Sequence, residues 1–178
     1  YSDAPVRISV RDLAGRTTVS ATGDSSDDAD GVLYDDLSSP TQSDVEDAFN
    51  GTLKTKTVNN YNDDGQLTST DRYYDIANSK KLTTSYTYDS TTGERYKVAA
   101  PDGTITYTKF DQLGRSIETW RGTDDTDGTH DDPDGSGGAN NMVQVSAVFY
   151  DESTPGSGTH GVGDGNVTSS RTYYDATD

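Results

Sequence analysis

Cysteine is absent from the 178 residues, so no disulfide can staple the fold and the compartment cannot be read from thiol usage. Basic charge is scarce: 14 Lys and Arg face 31 Asp and Glu, a net charge of -17. Phosphate backbones and anionic membranes are held by clustered Lys and Arg, so nucleic acid and membrane surfaces are disfavoured partners, and cations are favoured. Apolar residues are few as well, 29% of the chain. Globular domains usually hold roughly 45–50%, a figure that includes Gly. A deep aliphatic core is therefore excluded. No apolar run approaches the ~20 residues of a membrane span, and no leader-like stretch opens the sequence.

Such a composition ordinarily marks a disordered chain. Two features argue otherwise. There are 12 Tyr, each able to bury an apolar ring while its hydroxyl stays hydrogen-bonded. The apolar residues also alternate with polar ones, the pattern of half-buried strands. The clearest stretch is 104–120, TITYTKFDQLGRSIETW. Two runs rich in β-branched and aromatic residues flank Asp111-Gln112-Leu113-Gly114, which reads as a hairpin. Asp111 can accept hydrogen bonds from the turn's own N–H groups, and Gly114 can take positive φ without a Cβ clash.

The same grammar recurs along the chain. Residues 7–21 give a first hairpin, with Arg11 where the aromatic should stand, a degenerate copy. Residues 54–73 turn at Asn62-Asp63-Asp64-Gly65. Residues 81–100 turn at Asp89-Ser90-Thr91-Thr92-Gly93, one residue longer, and Pro101-Asp102-Gly103 is a tight link onward. Strands are expected over 142–150 and 167–174, with Gly165 completing the series Gly15, Gly65, Gly93, Gly114 and Gly165. The shortest interval, from Gly93 to Gly114, is 21 residues. Repeats near this period predict one array over 1–178, an all-β fold of antiparallel hairpins in a spiralling, solenoid-like sheet. Two acidic insertions interrupt it, at 22–53 and 122–141, and one short helix is expected over 43–50, capped by Ser43 with Glu46 three residues on. Tyr1-Ser2-Asp3 and Tyr174-Asp175 read as the interior of a repeat array, so the chain is expected to be a slice of a longer one.

These units carry a resemblance. Tyr88-Asp89-x-x-x-Gly93, Phe110-Asp111-x-x-Gly114-Arg115, Pro101-Asp102-Gly103-Thr104 and Asp164-Gly165-Asn166-Val167-Thr168 resemble the YD repeats of Rhs proteins and of the related teneurin shell. The resemblance implies a β-sheet ribbon that spirals into a hollow wall, enclosing a C-terminal toxin or serving adhesion. It implies a bacterial protein, extracellular or at the cell surface, and a non-enzymatic role. Its partners would be neighbouring repeats of the same longer chain, or further copies. This sequence departs from the family in having no Asp-Pro-x-Gly-Leu type core motif, hence no plug or toxin, and in its acidic insertions.

Extra chemistry should sit in those insertions. Asp124-Asp125-Thr126-Asp127-Gly128 and Asp131-Asp132-Pro133-Asp134-Gly135 contain Asp-x-Asp-Gly twice. Ca²⁺ takes six to eight oxygens, and carboxylates at alternate positions of a Gly-bent loop point inward. Asp125, Asp127, Asp131, Asp132 and Asp134 are the expected Ca²⁺ ligands, in a pattern similar to thrombospondin type 3 repeats. Asp28 and Asp30, before Gly31, form a poorer second copy. His130 reads as a surface residue, since no Cys and no nearby second His would complete a zinc site. Ser157, His160 and Asp164 share one Gly-rich loop, which is no scaffold for a triad. Exposed aromatics, namely Trp120, Tyr73, Tyr74, Tyr173 and Tyr174, give the alternative function: a carbohydrate-binding or cell-adhesion module. For each Tyr pair the repeat itself supplies a simpler account, one ring inward and one outward.

Overall fold

The computed structural model describes residues 5–24, 53–135, 140–151 and 166–174. Ten strands follow in chain order: β1 (Pro5–Arg11), β2 (Thr17–Asp24), β3 (Leu53–Tyr61), β4 (Leu67–Asp75), β5 (Lys80–Tyr88), β6 (Arg95–Ala99), β7 (Ile105–Phe110), β8 (Ser116–Gly122), β9 (Val143–Tyr150) and β10 (Val167–Thr172). Their order in the sheet is the order in the chain, so sequence neighbours are ladder neighbours in one open sheet. Every described pairing is antiparallel. The all-β expectation holds among the described residues. The helix expected over 43–50 lies outside them, as do Asp28, Asp30, Gly165 and the Ser157, His160, Asp164 set.

The chain divides into two compact units, Tyr1–Thr84 and Ser85–Asp178. In the first, strand alternation and register stack the apolar residues in rows. Ile8 pairs with Ala21, Ala21 with Lys56, and Lys56 with Tyr73. The adjacent row on the same face is Val10, Val19, Val58 and Asp71. Ile8, Val10, Val19, Ala21 and Val58 are buried together, with Leu53 and Tyr73 packed against them. Fully burying one such aliphatic contributes roughly 1.5–3 kcal/mol, so these few residues carry much of the unit. The two polar members of the rows are buried too. Lys56 Nζ sits 4.4 Å from the Tyr73 ring centroid. Asp71 accepts from Lys81 Nζ and from Thr83 Oγ1, both at 2.6 Å. Burial pushes the Asp71 carboxyl up, but those donors outweigh it and its pKa lies below the ordinary value.

The second unit has an even thinner core: Tyr107, Met142 and Ala147 are its buried apolar side chains among the described residues, together with Pro133. Cross-strand polar pairs supplement it. Lys109 stands opposite Glu118, with Nζ 3.4 Å from Oε2. The same carboxylate accepts the Trp120 indole N–H at 2.9 Å. On β9 Ala147 is buried while Val143, on the same face by alternation, is half exposed.

Candidate functional site

The hairpin turns are assembled from their own residues. Asp111 N–H donates to the Arg115 carbonyl and Gly114 N–H to the Asp111 carbonyl, both at 2.9 Å. Asp111 Oδ1 accepts from the Leu113 and Arg115 N–H groups at 2.9 and 3.0 Å, and Oδ2 accepts Arg115 Nε at 2.6 Å. Gly114 completes the bulge at φ 76°, and a Cβ there would lie 2.8 Å from Glu94 Oε1. Burial raises the Asp111 carboxyl, yet the Arg115 backbone and guanidinium hydrogen bonds prevail and its pKa is lowered.

Residues 12–16 repeat this geometry. Asp12 Oδ1 accepts from Ala14 and Arg16 N–H at 3.0 and 2.9 Å, and Oδ2 accepts Arg16 Nε at 2.6 Å. The copy expected to be degenerate is therefore intact at its turn: the aromatic before Asp12 is dispensable because the lock uses Asp, Gly and Arg. At 62–66 the same bonds form without charge. Asn62 Oδ1 accepts the Gln66 N–H and Asn62 Nδ2 donates to Gln66 Oε1, each at 2.8 Å.

Each Arg then reaches one hairpin onward. The Arg16 guanidinium lies 4.7 Å from the Tyr61 centroid, and Tyr61 Oη donates to the Thr17 carbonyl at 3.2 Å. The Arg115 guanidinium lies 3.9 Å from the Tyr150 centroid, and Tyr150 Oη donates to the Ser116 carbonyl at 3.3 Å. In both places the Arg of one turn holds the Tyr that ends the next strand, β3 or β9, and that Tyr bonds the residue after the Arg. Such a fastener joins hairpin to hairpin.

The acidic loop, 122–141, is a folded structure over its described residues. Asn141 Oδ1 accepts the Thr123 and Asp124 N–H groups at 2.8 Å each. Asn140 Nδ2 donates to the Thr126 and Pro133 carbonyls. Gly128 permits a close approach, since a Cβ would lie 2.7 Å from the Pro133 carbonyl oxygen. Asp125 turns inward. Its Oδ2 accepts Lys97 Nζ and, at 2.6 Å, the Tyr107 hydroxyl. Lys97 and Tyr107 are register partners on β6 and β7, which brings them to one place on the sheet. Burial raises the Asp125 carboxyl, but the Lys97 and Tyr107 hydrogen bonds bring its pKa below the ordinary value.

The five expected calcium ligands do not meet. Asp125 is engaged by Lys97. Asp127 is exposed, at φ 60°, and Asp131 points to solvent with its side chain 93% exposed. Asp132 and Asp134 alone act on each other: interaction with Asp134, then burial, raises the Asp132 carboxyl above its usual value. Among the described residues no three His, Asp or Glu side chains are grouped to hold an ion. As placed, the set does not fit a full calcium cage. His130 is not a free surface residue: its ring packs edge-on against Tyr96 at 5.1 Å, with Nε2 buried. Lys97, Tyr107, Asn140 and Asn141 were not singled out from sequence. Strand alternation gives Lys97 a face, but only the register gives it Tyr107 and Asp125 as neighbours.

No protein-family model and no curated protein sequence matches this chain.

The aromatics split as alternation demands: Tyr73 is half-buried and Tyr74 is 64% exposed. Tyr173 and Tyr174 lie just past β10 and are exposed. Trp120 is half-buried with its indole N–H taken up by Glu118.

Proposed function

We propose that this chain is a non-enzymatic, structural segment of a longer extracellular YD-repeat (Rhs-like) protein of a bacterial surface, forming shell wall or filament. The observation that carries this reading is the recurring fastener, Asp12–Arg16–Tyr61 and Asp111–Arg115–Tyr150. It uses the aspartate and arginine of the repeat motif to join one hairpin to the next, which is what a wall requires and what a reaction centre does not. In this reading the sheet continues by spiralling, and neighbouring repeats or another copy cover its open edges. Electron microscopy of the chain extended by its flanking sequence tests it. Ribbons, shells or fibres are expected; isolated globules of fixed size would sink the proposal.

Calcium keeps a narrower part. Asp134 holds the Asp132 carboxyl above its usual value, and a hard cation would relieve the two carboxylates. Asp125 already has its cation, the Lys97 ammonium. A small rise of melting temperature with calcium, reversed by chelator, is expected. The second reading, contact with glycans, draws on the exposed ring of Tyr74.

A further inference from the structure

The first unit carries a cavity on the sheet face opposite its buried rows. Arg7, Thr22 and Thr55 form one cross-strand row, and Thr57 and Arg72 belong to the next row on that face. These residues and Tyr74 line a space of about 680 Å³, within the ~300–1,000 Å³ of small-ligand sites. Among the described residues no Asp or Glu lines it, in a chain with 31 acids. Three other cations of this unit do find carboxylates: Arg16 with Asp12, Lys80 with Asp75, Lys81 with Asp71. The Arg7 and Arg72 side chains have neither an ion pair nor a hydrogen bond among the described residues. They stand on β1 and β4, strands three ladder spacings or roughly 14 Å apart. Between them are threonine hydroxyls, two of which, Thr22 Oγ1 and Thr55 Oγ1, lie 2.5 Å apart.

We propose that this cavity binds a short acidic sugar, a uronate-bearing oligosaccharide. A guanidinium fork matches a carboxylate in bidentate geometry. Threonine hydroxyls both donate and accept, as sugar hydroxyls do. The exposed Tyr74 ring offers an apolar plate with a polar rim to a sugar's C–H face. A net charge of -17 repels long polyanions. A short ligand lying within about one Debye length (~8 Å at physiological salt) of the guanidiniums feels them most strongly. This rests on the glycan-contact reading above and narrows it to one place and one charge.

The test is calorimetric titration of the whole chain with a galacturonic acid trimer, a neutral galactose trimer and a short single-stranded DNA. One saturable site for the acidic trimer is expected, at least tenfold weaker in Arg7→Gln and in Arg72→Gln, with unchanged melting temperatures. Tyr74→Ala should weaken it severalfold. Equal binding of both trimers, sensitive to Tyr74→Ala alone, would overturn the acidic site and leave the glycan reading standing. No binding of either trimer would overturn both. DNA bound as tightly as the acidic trimer would overturn it in favour of a general anion patch.

Discussion

The hairpin turns and the 122–141 loop are made from the same two residue types, aspartate and glycine, and they use them in opposite ways. In the turns each carboxylate is satisfied by residues two to four positions along: Asp111 by Leu113 and Arg115, Asp12 by Ala14 and Arg16. In the loop the decisive carboxylate finds its partners far back in the chain: Asp125 is held by Lys97 and Tyr107. A local partner lets a turn form as soon as its five residues are made. A distant partner lets a loop close only after β6 and β7 have paired. The difference therefore bears on stability as well as on order of assembly.

The largest effect should come from breaking a turn. Asp111→Ala removes three hydrogen bonds and the ion pair of the Arg115 guanidinium, whose side chain is only 20% exposed. Bonds to charged groups contribute about 1.5–3 kcal/mol each, and they share one carboxylate here, so a loss of about 3 kcal/mol is expected in chemical denaturation. A change below about 1 kcal/mol would mean the fastener holds nothing. Lys97→Met comes second, at about 2 kcal/mol, because it leaves Asp125 without its ammonium. It also sharpens the contrast. With the internal cation gone, calcium should raise the variant's melting temperature more than that of the parent chain. An equal calcium response would show that Lys97 does not stand in for an ion.

This contrast also explains what could be read from sequence. Turn aspartates, turn glycines and strand alternation act over two to five residues, so the hairpins at 54–73, 81–100 and 104–120 could be placed closely, and Gly15, Gly65, Gly93 and Gly114 all take positive φ. The first hairpin carries the same local code in Asp12 and Arg16, which form its turn without the aromatic. In the loop, composition shows charge but not register. That Lys97 faces Tyr107 follows only once β6 and β7 are aligned, and no pattern within 122–141 encodes it. The Arg–Tyr contacts are not legible in sequence for the same reason, since Tyr61 and Tyr150 lie 45 and 35 residues from Arg16 and Arg115.

A smaller effect separates the two parts of the fastener. Tyr150→Phe removes only the hydroxyl donated to Ser116, about 0.5–1 kcal/mol. Tyr150→Leu also removes the ring under Arg115, roughly another 0.5–1 kcal/mol. Tyr61→Phe and Tyr61→Leu should give the same two steps with a smaller second one, because Arg16 lies 4.7 Å from its ring against 3.9 Å for Arg115. Thermal denaturation of the four variants checks the ranking; if the second step is no larger at Tyr150, distance to the ring does not set it.

The smallest effect has the opposite sign, and pH exposes it. The pKa values of Asp111 and Asp125 are lower folded than unfolded. Their stabilisation is present above the unfolded value, about 3.9, and is lost as pH falls through the lower folded one. Asp132 is raised by its interaction with Asp134. Its contribution is present below the unfolded value and lost as pH rises through the raised folded one, so at pH 7 its ionised form is a net cost. Asp132→Asn should therefore raise the melting temperature slightly at pH 7 and leave it unchanged near pH 3, where the parent side chain is already neutral. Asp111→Asn should lower it at pH 7, by an amount that shrinks as pH approaches 3. Within one chain, removing a carboxylate charge then stabilises in the loop and destabilises in the turn. The calcium response should diminish in Asp132→Asn and persist in Asp111→Asn, since only the former removes a carboxylate the cation would bridge. Matching pH curves for the two variants would mean that the Asp132–Asp134 interaction does not form in solution.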